Sequence, residues 1–128
     1  MRLLLDTSVL LYWSSGARKL TSRVRRAIEE PGNECFVSLA SAWELAIKAS
    51  IGKLNLSAPA GRFFAEQLSA HGFTALGIEL THIAAVEHLP QHHGDPFDRL
   101  LVAQAVVESL EIVSPDAMFS RYGVKRIW

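Results

Sequence analysis

Short, wholly apolar runs alternate with helical segments along this chain, and that alternation limits the fold more than any other feature. Leu3 to Leu5 is the first run, "CFVS" (35–38) the second, "FTALGI" (73–78) the third and "EIVS" (111–114) the fourth. "VKRIW" at 124–128 is a candidate last strand. Runs this short and this uniformly apolar suit strands covered on both faces. Between them lie amphipathic stretches. Leu20, Val24, Ala27 and Ile28 share one face at helical spacing, with Thr21 or Ser22 as the cap. "ASAWELAIKASIG" reads as a helix from about Ala42 with Gly52 ending it, and Pro59 to His71 as another with Pro in its first turn. Thr81 opens a short helix, and "DPFDRLLVAQAVVESL" opens a long one that is apolar on most sides and so reads as buried. The pattern predicts one α/β domain over 1–128, three layers deep, with a short, mainly parallel central sheet between helices.

Bulk properties narrow the function classes. The 128 residues carry 13 basic and 13 acidic side chains, so the chain is not a strongly basic nucleic-acid binder. Any such contact would use a local stripe; Arg18, Lys19, Arg23, Arg25 and Arg26 form one on or beside the second helix, read here as a solvated face. The one cysteine, Cys35, cannot form an internal disulfide and suits a reducing compartment. The start resembles a signal peptide weakly, but Asp6 breaks its apolar run; no stretch approaches the ~20 residues of a membrane span. The expectation is a cytoplasmic chain with no membrane partner.

Four acids stand at or near helix starts: Asp6 and Asp116 each follow a strand, Glu44 sits near the start of the helix after the second strand, and Asp98 begins the long buried helix. Each has a local explanation as a cap. "SAWE" fits a capping box with Ser41 as cap and Glu44 at the third helical position, and Asp95 fits the cap of "DPFD". Yet helix starts after parallel strands lie at the carboxyl edge of the sheet, where ligands bind. Carboxylates brought to ~5 Å there repel by roughly 3 kcal/mol per pair at an effective dielectric of ~20. The sequence offers too few nearby lysines to offset that, whereas Mg²⁺ or Mn²⁺ would, because both prefer carboxylate and water oxygens.

With these residues in view the chain resembles the PIN-domain ribonucleases, and among them the VapC-type toxins. The resemblance covers the whole chain. It rests on "LLLDTSVLLYW", "SLASAWELAIKASIGKL", "DPFDRLLVAQA" and "IVSPDAMFSRYGV", in that order. The last motif departs from many relatives, with "SPD" where they have a Thr before a charged residue and the Asp; Ser114 keeps a small hydroxyl there. The resemblance implies a PIN-like fold and a Mg²⁺- or Mn²⁺-dependent endoribonuclease, in which a metal-activated water attacks phosphorus in line and leaves a 5′-phosphate and a 3′-hydroxyl. It implies Asp6, Asp98 and Asp116 as metal ligands, with Glu44 holding or orienting a water. Thr7 or Ser8 would hydrogen-bond a ligating carboxylate. Asp95 reads as a helix cap in preference to a fifth ligand, and Arg99 either pairs with a neighbouring acid or meets phosphate. It further implies a homodimer and a small antitoxin whose tail crosses the acidic pocket, a basic residue standing in for the metal.

Other assignments fit less well. Haloacid-dehalogenase phosphatases need a second Asp two residues after the first, where this chain has Ser8. A phosphoacceptor receiver domain wants paired acids near the first strand. A silent PIN-like module that binds RNA or protein without cutting is the alternative, and it would be marked by a missing acid. The five histidines carry no zinc-type spacing. Trp13, Trp43 and Trp128 read as core or interface, and the stripe Trp43, Ile47, Ile51 as core.

Overall fold

The computed structural model describes residues 1–16 and 18–128. Five strands form one all-parallel sheet in the order β3-β2-β1-β4-β5, with β1 at Arg2–Leu5, β2 at Glu34–Ser38, β3 at Thr74–Leu76, β4 at Glu111–Val113 and β5 at Arg126–Ile127. β1 is central, and its register pairs Leu5 with both Val37 and Val113. Its side chains alternate between two separate cores, which makes the fold three layers deep. Leu3 and Leu5 join Val9, Val24, Leu45 and Phe63 on one face, while Leu4 joins Phe36, Leu101, Val102, Ile112 and Phe119 on the other.

Helices α1 (Thr7–Ser15), α2 (Ser22–Glu29), α3 (Leu39–Ser50) and α4 (Ala60–His71) contribute to the first core. Helix α6 (Pro96–Glu108) and the 3₁₀ turn Ala117–Tyr122 supply the second, with α5 (Leu80–Glu87) packed against α6. Thr21 caps α2, its hydroxyl accepting from Val24 N.

Local chemistry corrects several expectations. Strand β2 runs directly into α3, so Ser38 is the cap, its hydroxyl accepting from Ala40 N at 3.0 Å. Ser41 is therefore inside the helix and Glu44 is in its second turn, and the expected capping box does not form. Helix α5 starts at Leu80, one residue before Thr81; a Glu79–His82 box caps it. Pro59 occupies the cap position of α4 instead of its first turn, because the helical backbone begins at Ala60. The stripe Trp43, Ile47, Ile51 is exposed, because α3 turns Ala40, Ser41, Glu44 and Leu45 inward instead. Helix α6 likewise leaves Val106 and Val107 at the surface.

Candidate functional site

At the carboxyl edge of β1 and β4 a cleft of about 250 Å³ is lined by Asp6, Glu44, Asp95, Asp98 and Asp116, with Thr7, Ser8, Lys48 and Leu11 between them. The parallel sheet explains the gathering. Asp6, Glu44 and Asp116 lie at the start of, or in, the helical segments that directly follow β1, β2 and β4, and α6, which follows α5, brings Asp95 and Asp98 to the same rim.

Capping and convergence coexist here. Asp6 caps α1, with Oδ1 accepting from Val9 N at 3.0 Å and from the Ser8 hydroxyl at 2.6 Å. Its Oδ2 accepts from the Ser114 hydroxyl. Ser114 Oγ in turn accepts from Asp116 N at 3.0 Å, so one hydroxyl links the two acids across β1 and β4. Asp116 caps the 3₁₀ turn through Met118 N. Asp95 caps α6, accepting from Phe97 N and Asp98 N.

Glu44 is buried and held at both oxygens. Thr7 Oγ1 donates to Oε1 at 2.7 Å, and Lys48 Nζ donates to Oε2 at 2.7 Å. The Thr7 hydroxyl also meets Ser41 Oγ at 2.9 Å; its one proton serves Glu44, so Ser41 is the donor of that second bond. This chain of hydroxyls ties α1 to α3 beneath the cleft. Lys48 is a cleft residue that the sequence reading missed. The signal was the Glu–Lys pair at i, i+4 in "ELAIK". The Glu44 hydrogen bond holds its ammonium above the ordinary value, against burial, and the charges of Asp95 and Asp98 add to this.

Asp98 shows the strain of the cluster. Burial pushes its carboxyl up from 3.8 to about 6; the negative charges of Asp95, Asp6 and Glu44 also raise it, and His93 opposes. His93 Nε2 stands 3.5 Å from Asp98 Oδ2 without a hydrogen bond to it, while its Nδ1 meets the Tyr122 hydroxyl.

Arg99 lies elsewhere. Its guanidinium is buried against the opposite side of α6, donating to the carbonyls of Pro90 and Val86 and to the Tyr122 hydroxyl. It pairs with none of the cleft acids, and with its donors engaged inside the fold it is not a phosphate contact. Packing turns Asp98 toward the cleft and Arg99 toward Tyr122.

The donor set suits a hard divalent cation. The cleft's potential ligands are oxygens, and Asp98 shares the cleft with Asp95, Asp6 and Glu44, whose negative charges a cation would offset. Among the described residues no three acidic, histidine or cysteine side chains close into a tight ligating cluster.

A PIN domain family model matches residues 3–125. The chain belongs to the PIN-domain family. It is 33% identical to Ribonuclease VapC22 of Mycobacterium tuberculosis (strain ATCC 25618 / H37Rv) over 114 residues, 88% of this chain and 85% of that protein, which places this PIN domain with the VapC proteins. Its fold matches VapBC2 from Rickettsia felis bound to a DNA fragment from its promoter, with a TM-score of 0.74 at 15% identity over 99% of this chain and 98% of that one. DNA-bound VapBC from Salmonella typhimurium matches at a TM-score of 0.70 and 15% identity, covering 99% and 97%.

Proposed function

We propose that this PIN domain is a divalent-metal-dependent endoribonuclease and the toxin of a toxin–antitoxin pair. The observation that carries the reading is the crowding of Asp6, Glu44, Asp98 and Asp116 in one cleft of a chain whose relative is a ribonuclease. Asp6, Asp98 and Asp116 would hold Mg²⁺ or Mn²⁺. A cation there supplies charge for the phosphodiester transition state and lowers the pKa of water.

The chain's own groups do the positioning. Ser114 and Ser8 fix the rotamer of Asp6, and Ser114 also anchors the backbone of Asp116. Glu44 carries the Lys48 ammonium to the cleft wall, where it offsets the acids as the phosphate approaches. Asp95, exposed and committed to capping, is a backbone anchor for the Asp98 turn in preference to a ligand. Hydrolysis joins the water oxygen to phosphorus and breaks the bond to the 3′ oxygen, which leaves as a hydroxyl.

A neighbouring antitoxin is the expected protein partner, since the structural relatives are VapBC assemblies. A second copy of the chain is the proposed occupant of the exposed face of α3, where Leu39, Trp43 and Ile51 are 45%, 58% and 59% exposed. Among the described residues no helix is long and apolar enough to cross a membrane.

Purified chain incubated with total RNA in Mg²⁺, Mn²⁺ or chelator, beside Asp98→Asn, tests the proposal. Discrete cuts bearing 5′-phosphate, dependent on metal and Asp98, are expected. A folded, metal-supplied protein that cuts nothing would leave the silent binding module as the better reading.

A further inference from the structure

The acidic cleft shares one lining residue with another cavity. Leu11, which lines it, is also a wall of a second cavity of about 420 Å³. That cavity lies between the C-terminal half of α1, the loop before α4 and α4 itself, and its volume falls in the range of about 300–1,000 Å³ that holds small ligands. We propose that it is the subsite for one unpaired RNA base beside the cleaved bond, with Asn55 reading the base's edge. The inference rests on the ribonuclease reading above.

The lining fits a neutral, flat, polar-edged group. No charged side chain lines the cavity among the described residues, so it suits a base and not a phosphate. Tyr12 and Phe63 give it aromatic walls, and stacking on such side chains accommodates any base. Lys19 Nζ stands 5.2 Å from the centre of the Tyr12 ring, where a cation can meet the backbone of the same strand.

The polar atoms divide into engaged and open ones. The Ser14 hydroxyl donates to Leu11 O at 2.8 Å, the Ser15 hydroxyl to Tyr12 O, and Gln67 meets His71. The side chains of Asn55 and Ser57 make no hydrogen bond among the described residues. An amide offers a donor and an acceptor side by side, the pattern that matches a base edge. An apolar protein segment seated here would desolvate both groups without replacing their water contacts.

The first measurement is titration of the four ribonucleoside 5′-monophosphates into the ¹⁵N-labelled full chain with Mg²⁺, followed by NMR. At least one nucleotide should shift the Asn55 side-chain amide and the Ser57 backbone amide saturably. Asn55→Ala should weaken that nucleotide about tenfold, the discrimination one bidentate contact supplies. The second measurement is cleavage of a randomised single-stranded RNA pool with sequencing of the cut ends. Wild type should prefer one base at one position beside the cut, and Asn55→Ala should lower that preference about tenfold. Asn55→Asp, which removes the donors and keeps the shape, should change the preferred base. Asn55 is exposed on a loop, so neither variant threatens folding. The proposal is overturned if no nucleotide moves these amides, including the case where only a co-expressed antitoxin does. It is also overturned if cutting proceeds with base preference unchanged in both variants. A pool left wholly uncut counts against the nuclease reading instead, and the nucleotide titration then decides the cavity by itself.

Discussion

Two polar regions flank the start and body of α6, and they handle buried polarity in opposite ways. On the α5 side, His82 is fully buried, with Nδ1 accepting from Glu79 N at 2.9 Å and Nε2 meeting Glu108 Oε1 at 2.9 Å. A backbone donor at Nδ1 puts the proton on Nε2, so the imidazole donates to Glu108. Arg99 is similarly matched to two carbonyls and a phenol. One atom there, Gln104 Oε1, lacks a partner. On the other side, Asp98 faces Asp95, Asp6 and Glu44, with Lys48 as the one cation lining the cleft among the described residues. The first region is complementary and closed. The second is like-charged, and the proposed cation would make it complementary. Burial of polar groups is therefore not what marks a site; mismatch among them is.

The comparison breaks or sharpens under substitution. The largest effect is expected from Asp98→Asn on cutting: a loss of about a thousandfold or more, the scale of several kcal/mol of lost charge stabilisation. Cleavage rates in saturating Mg²⁺ measure it, and near-wild-type cutting would remove Asp98 from the machinery. Next is His82→Ala, which leaves Glu108 and Glu79 N without their partner and opens a cavity. We expect about 3 kcal/mol of lost stability with activity per folded molecule unchanged, read by urea unfolding and an active-fraction assay.

The third prediction runs the other way. In chelator at pH 7, Asp98→Asn should be more stable than wild type by about 2 kcal/mol, because it removes a charge the fold disfavours. The sign follows from the raised carboxyl. Below pH 3.8 both folded and unfolded states hold the proton. Between 3.8 and about 6 the unfolded state releases it first, so wild-type stability falls as pH rises, and above about 6 the cost is constant. Chemical melts from pH 3 to 8 should show the two proteins diverging across that window, and saturating Mg²⁺ should narrow the gap. A destabilised Asp98→Asn would mean the cleft is complementary as built. The smallest effect is expected from Ser114→Ala: a loss of ten- to a hundredfold in metal affinity with the fold kept, as when a hydrogen bond to a ligand is deleted. Isothermal titration with Mn²⁺ tests it.

Much of the fold was legible because short apolar runs and amphipathic spacing are direct records of burial. The convergence of Asp6 and Asp116 followed from topology, since each stands where a parallel strand hands over to a helical turn at one edge, whereas Asp98 opens α6, which follows α5, and reaches that edge by packing. What the sequence hid was direction within a helix. Asp98 and Arg99 are neighbours, and only packing decides that one meets the cleft and the other Tyr122. The same ambiguity misplaced the stripe Trp43, Ile47, Ile51, whose apolar period fits a core equally well. The α3 cap was misread because a strand that enters a helix with no loop lets its last residue, Ser38, serve as cap. The second cavity had no motif at all, since its lining comes from three separate segments.

Asp6 and Asp116 each hold a helix start while lining the cleft. Asparagine caps a helix about as well as aspartate. At Asp116, whose carboxylate accepts from Met118 N, a lineage that made this exchange would keep its folding and its surface and lose only its charge, whereas Asp6 also accepts from Ser8 and Ser114. At Asp116 the architecture thus exerts no pressure of its own to retain the chemistry. Inert descendants should arise by single substitutions and persist as well-folded proteins, so whatever keeps the acids in place must act on what the cleft does.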